Sequence, residues 1–241
     1  MKINLDTYDA VMFDLDMTLV ETHSWIEKRE TAIALEYGGI PMEDGIKVWD
    51  DFLAGYEKTC HSTGGVGLLV DWMEYFIKET GMRGVSAAEL VAKYYAPDSI
   101  VEVHGKCDLM CNVDVVLKKL YKMKKPMAIV TMQSIKAVDT LFSKNKNVKA
   151  KVDLVKIFGN NVITAECVEK SKPHPEPYLR AAKMLGVDIK RCLVFEDSFE
   201  GVTSAKSAGE TVCWVTTEKN IVDKPHIKAL ADFIITDYNQ V

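Results

Sequence analysis

Proline and glycine are sparse in this 241-residue chain, seven and 14 residues respectively, which excludes a collagen-like or Pro/Gly-rich disordered protein. Basic residues hold no surplus: 30 Lys and Arg against 35 Asp and Glu leave a net charge of −5. A nucleic-acid backbone is therefore not an expected partner. No stretch approaches the roughly 20 apolar residues that span a bilayer, and the opening segment carries Asp6 and Asp9 before any apolar run. A cytoplasmic protein without a membrane partner is expected. Internal repeats and low-complexity tracts are missing too. The six cysteines, Cys60, Cys107, Cys111, Cys167, Cys192 and Cys213, are scattered, several of them inside apolar runs, as buried thiols of a reducing compartment would be. Cys107 and Cys111 lack a second Cys or His pair at zinc spacing, so a zinc site is set aside.

What is present is an ordinary globular composition, 48% hydrophobic and 27% charged, enough to bury a large core. Short apolar runs of strand type alternate with amphipathic helical segments. The candidate strands are Ala10 to Phe13, Met127 to Thr131, Val162 to Ala165, Cys192 to Phe195, Thr211 to Val215 and Phe233 to Ile235. Between them Val115, Leu117, Leu120 and Tyr121, then Tyr178, Ala181, Ala182 and Leu185, recur at helical spacing. The pattern predicts an α/β fold, a doubly wound, Rossmann-like parallel sheet. It breaks between about His23 and Gly105, where four helical patterns replace strands, one of them carrying Leu69, Trp72, Met73, Phe76 and Ile77. Residues 22–105 are thus expected to form an inserted all-helical domain, and residues 1–21 with 106–241 the sheet domain. Linkers are placed near Glu21 to Ser24 and His104 to Asn112. Thr63-Gly64-Gly65-Val66-Gly67 follows no strand and lacks a lysine, so it is read as a turn between helices and not as a phosphate loop.

Ligands of open α/β sheets bind beyond the carboxyl ends of the strands. Three of those ends are polar here: Asp14-Leu15-Asp16-Met17-Thr18, Thr131-Met132-Gln133-Ser134 and Glu196-Asp197-Ser198. Carboxylates crowded into one crevice call for a cation, and Mg²⁺, which takes a few carboxylates together with water and phosphate, suits them best, with Asp14 and Asp197 as first ligands. Side chains alternate along an extended chain, so Asp14 and Asp16 share one face while Leu15 points away. One can serve as nucleophile and the other as proton donor to a departing alkoxide. Lys172, ahead of a proline-initiated helix, can neutralise a transferring phosphoryl group.

Four motifs in this order resemble the haloacid dehalogenase superfamily, in its phosphatase branch with a helical cap, close to the sugar-phosphate phosphatases and β-phosphoglucomutase-like proteins. Asp14-Leu15-Asp16-Met17-Thr18-Leu19 resembles the nucleophile loop, Thr131 the phosphate-binding hydroxyl, Lys172-Pro173-His174-Pro175 the lysine motif, and Glu196-Asp197-Ser198-Phe199-Glu200-Gly201 the acidic metal motif. The resemblance implies that Asp14 forms an aspartyl-phosphate and that Asp16 acts as acid and then base. It also implies that Mg²⁺ is held by Asp14, Asp197 and the backbone carbonyl of Asp16, with Glu196 assisting. Met17 stands where the family usually has glycine, so the loop turns there without glycine's freedom. Gln133, Ser134, His23 and Trp25 are candidates to border the leaving group, Trp25 also opening a helical apolar pattern. The expected activity is Mg-dependent hydrolysis of small phosphate monoesters, sugar or polyol phosphates, by a monomer. A phosphosugar mutase is the alternative, followed by a dehalogenase, which needs neither metal nor Asp16, and by a non-catalytic binding protein, which would be expected to have lost one of the four charged residues.

Overall fold

The computed structural model describes residues 3–42, 52, 66–95, 97–216 and 224–241, and divides into two compact units, Met1–Thr22 with His104–Val241 and His23–Val103. Cys60 and residues 63–65 of the expected helix-to-helix turn lie outside the described residues.

The first unit is built on a six-stranded parallel sheet. Its strands are β1 (Ala10–Phe13), β4 (Met127–Val130), β5 (Val162–Ile163), β6 (Cys192–Glu196), β7 (Thr211–Val215) and β8 (Phe233–Ile235). They lie in the order β5-β4-β1-β6-β7-β8. β1 is central: Val11 is in register with Met127 on one side and with Leu193 on the other. All four of its residues are buried, because helices cover both faces of a parallel sheet and leave no polar side for alternation. The helices of this unit are α5 (Val113–Lys122), α6 (Ile135–Lys144), α7 (Lys146–Lys151), α8 (Leu154–Phe158), α9 (Glu176–Leu185), α10 (Phe199–Ala208) and α11 (Pro225–Leu230). Tyr178, Ala181 and Ala182 of α9 and Val202 and Ala205 of α10 pack against Met12, Val130, Val194 and Trp214 of the sheet.

The chain leaves β1 for β4 on one side and returns to β6 on the other, so the order of the strands reverses at β1. At such a point the connections diverge and open a crevice past the strand ends. β1, β4 and β6 end there, and Asp14, Thr131 and Asp197 are the residues that directly follow them.

The linkers expected near Glu21 and His104 are not free loops. Val20–Glu21 (β2) pairs antiparallel with Asp108–Leu109 (β3), Val20 opposite Leu109 and Glu21 opposite Asp108. Two-residue strands carry no readable period, which is why the alternation missed them.

The second unit contains α1 (His23–Glu36), α2 (Val66–Thr80), α3 (Ala87–Tyr94) and the first part of α4 (Pro97–Lys106), and no strand among its described residues. Trp72, Met73 and Phe76 of α2 pack with Ile33 and Ala34 of α1 and Leu90 and Val91 of α3, with Leu69 and Ile77 at the margin. A capping box starts α3, in which Ser86 Oγ accepts from Glu89 N while the Glu89 carboxylate accepts from Ser86 N. The Glu30 carboxylate accepts from Trp72 Nε1 at 3.1 Å and Tyr95 OH at 2.9 Å, tying α1 to α2 and to the end of α3.

Candidate active site

The loop after β1 positions the two aspartates. Met17 N donates to Val20 O at 2.7 Å and Val20 N to Leu15 O at 3.0 Å, closing a tight turn with Met17 at φ +57°. The chain thus makes in a non-glycine residue the left-handed turn that glycine would make without strain. Leu15 and Leu19 anchor the turn in the core, while Asp14 and Asp16 stay partly exposed on its rim.

Lys172 reaches that rim from the segment before α9. Its ammonium donates to Asp14 Oδ1 at 2.6 Å, to Glu196 Oε1 at 2.6 Å and to the carbonyl of Val130 at 2.9 Å, with only 6% of its side chain exposed. Glu196, fully buried at the end of β6, also accepts from Tyr178 OH, from the backbone N–H groups of Asp197 and Ser198, and from Ser198 Oγ. Asp197 Oδ1 accepts from Thr18 Oγ1 at 3.1 Å, and its carbonyl accepts from Trp214 Nε1.

Asp14, Glu196 and Asp197 offer carboxylate oxygens within 4.8 Å of one another. One ammonium faces three carboxylates. If all are ionised, two negative charges remain uncompensated in a site only partly open to water, which is unfavourable. Burial, followed by the opposing pull of Lys172 and the repulsion of Glu196, pushes the Asp14 carboxyl up to about 8. Asp197 is raised well above the usual carboxylate range by burial and then by Glu196 and Asp14. Burial alone would pull the Lys172 ammonium down, but Asp14 and Glu196 together push it above its ordinary value. An all-oxygen donor set short of two positive charges suits a hard divalent cation. Asp14 and Asp197 have the freer carboxylates, whereas Glu196 is already held by five donors.

Thr131 directly follows β4 and is buried; its hydroxyl accepts from Gln133 N at 3.1 Å and keeps its own proton to donate. Ser134 caps α6, accepting from Ala137 N, so this candidate has a local structural task. His23 opens α1 in the helical unit, its Nε2 buried without a hydrogen-bond partner among the described residues, and Lys28 stands over the ring of Trp25. Sequence reasoning passed over Thr18, Tyr178 and His104. Thr18 stood inside the nucleophile motif, and Tyr178 at a core spacing that hid its hydroxyl. His104, whose Nε2 lies 2.9 Å from Asp16 Oδ1, gave no local signal at all.

Residues 8–209 match the family model of haloacid dehalogenase-like hydrolases. The chain belongs to this family. Among full-length relatives of this haloacid dehalogenase-like hydrolase is 2-deoxyglucose-6-phosphate phosphatase 1 of Saccharomyces cerevisiae, 28% identical over 97% of this chain and 89% of the relative. Hexitol phosphatase A of Escherichia coli is 27% identical over 95% and 91%. The fold is shared with CbbY of Rhodobacter sphaeroides in complex with phosphate, at TM-score 0.69 and 20% identity over 95% of this chain and 94% of that one. Both of these curated relatives are named as phosphatases. No helix among the described residues is long and apolar enough to cross a membrane.

Proposed function

We propose that this hydrolase is a Mg-dependent phosphatase of small phosphate monoesters, sugar or polyol phosphates, acting through an aspartyl-phosphate on Asp14. The observation that carries this reading is the cluster of Asp14, Asp197 and Glu196 around Lys172 at the reversal point of the sheet. Relatives named for sugar and hexitol phosphates support the substrate class.

In this reading Asp14 and Asp197 would hold Mg²⁺ with the backbone carbonyl of Asp16, and the ion would supply the positive charge that lets a phosphate dianion approach a carboxylate. Glu196 fixes Lys172 and the backbone of Asp197. A carboxylate oxygen of Asp14 attacks phosphorus, the bond from phosphorus to the ester oxygen breaks, and Asp16 protonates the departing alkoxide. Asp16 then takes a proton from water as that water attacks phosphorus; the bond to Asp14 breaks and inorganic phosphate leaves. Lys172 and the Thr131 hydroxyl bind phosphoryl oxygens throughout. The helical unit, 22–105, serves as a cap that selects the leaving group, and His23, Gln133 and Ser134 are the candidate residues for contacting it. The setting is cytoplasmic and the active species a monomer, which gel filtration of the active fraction checks.

A panel of small phosphate esters assayed for inorganic phosphate, with Mg²⁺ and with excess chelator, tests the proposal. Turnover is expected only with the metal, and Asp14→Asn should abolish it. Undiminished turnover in chelator, or accumulation of an isomeric sugar phosphate in place of inorganic phosphate, would overturn it.

A further inference from the structure

We infer that His104 is the positioning residue for Asp16, fixing the carboxylate that exchanges protons; this rests on the acid and base role proposed above for Asp16. His104 is wholly buried, and its Nε2 lies 2.9 Å from Asp16 Oδ1. That oxygen is itself buried and has no aligned hydrogen bond to any described residue, His104 included, so the imidazole meets it as a close polar contact that a small rotation of the carboxylate would align. The other carboxylate oxygen is left for the leaving group and the attacking water.

The mounting of the imidazole is stiff. Asn145, buried at the junction of α6 and α7, donates from Nδ2 to the carbonyls of His104 and Cys107, both at 2.8 Å. Its own Oδ1 accepts from Val148 N at 3.0 Å and its backbone N donates to Thr140 O. At Gly105 an added Cβ would meet Thr140 Cγ2 at 3.3 Å, so the backbone beside His104 lies close against α6. On the other side, the turn through Met17 holds the backbone of Asp16, leaving rotation of its side chain as the main freedom. A carboxylate free to rotate samples many orientations in which proton transfer cannot occur. A buried imidazole whose backbone Asn145 holds in place removes most of them, which a residue merely filling space would not do.

The test compares kcat/KM, which reports the steps up to departure of the leaving group, for an alkyl phosphate and for nitrophenyl phosphate. An alkoxide needs the acid, and a nitrophenolate needs it far less. His104→Phe keeps the ring and removes its nitrogens. It is expected to lower kcat/KM about tenfold on the alkyl ester and less than about twofold on the aryl ester, a fraction of the full effect of a general acid. His104→Gln, which restores a donor, should recover most of the loss, and adding His104→Phe to Asp16→Asn should cost nothing further. Should the phenylalanine variant not fold, His104→Asn, whose amide is too short to reach Asp16, replaces it. Equal losses on both esters, no loss on either, or a loss that persists in the Asp16→Asn background overturns the inference. If the wild-type protein hydrolyses neither ester, it is the phosphatase reading itself that fails.

Discussion

Gly201 shows how tightly the site constrains single residues. It sits in the first turn of α10, where alanine would ordinarily be favoured over glycine by about 1 kcal/mol. Here, however, a Cβ would lie 1.7 Å from Glu196 Oε1, inside the carboxylate that five donors hold in place. Displacing that carboxylate strands buried donors, at about 1–3 kcal/mol for each partner lost. The steric effect wins over helix propensity. Gly201→Ala is expected to lower stability by about 2 kcal/mol or more, read as a lower urea midpoint; an unchanged or higher midpoint would show that Glu196 can move. Met17 is the opposite case, a non-glycine residue in a left-handed turn, tolerated because two backbone hydrogen bonds of the turn and the buried Leu15 and Leu19 define it.

Among the elements, β7 begins beside an unusual group. Glu210, directly before Thr211, is 3% exposed, and neither carboxylate oxygen has a hydrogen-bond partner among the described residues. Burial raises it well above its ordinary value, the attraction of Lys172 opposing. The folded state therefore binds this proton more tightly than the unfolded chain, whose glutamate titrates near 4.3. Its stabilising contribution is complete below about 4.3 and is lost as pH rises towards the folded value. Glu210→Gln removes the titration, so its stability relative to wild type should rise between pH 4 and pH 8, measured as urea midpoints of both proteins. A gap independent of pH would show that Glu210 finds a partner.

The elements also differ in how far they could be read in advance. β1, β7 and β8 have the expected bounds because each is a continuous apolar run closed by a polar residue. β5 is shorter than its run, since Thr164 turns into a 3₁₀ segment over Ala165–Cys167. The acidic cluster was legible because its members stand at strand ends, where alternation stops. His104 and Asn145 were not: their roles depend on contacts 88 and 41 residues away in the chain, which no local spacing encodes.

At the level of the whole molecule, the shortage of positive charge at the Asp14 cluster makes stability sensitive to metal. An ion that binds only the folded state stabilises it by about 2.7 kcal/mol at a hundred times its dissociation constant. For a chain of this length that corresponds to a rise of several degrees in Tm. Mg²⁺ should therefore raise the Tm of the wild-type protein, and Asp197→Asn should abolish most of the rise; an equal rise in the variant would place the ion elsewhere.

The short ladder of β2 and β3 has a consequence for how the two units depend on each other. Glu21 and Asp108 face each other directly, so residues 22–107 form, in topological terms, the loop of a β-hairpin. While that loop is folded its ends are fixed near one another and the hairpin closes as though its turn were short. Once the insert unfolds, the same two strands must close a flexible loop of that full length, which disfavours them by about 2–3 kcal/mol relative to a four-residue turn. Melting of the helical unit is thus transmitted to β2, four residues from Asp16, through chain entropy alone and without any contact between side chains.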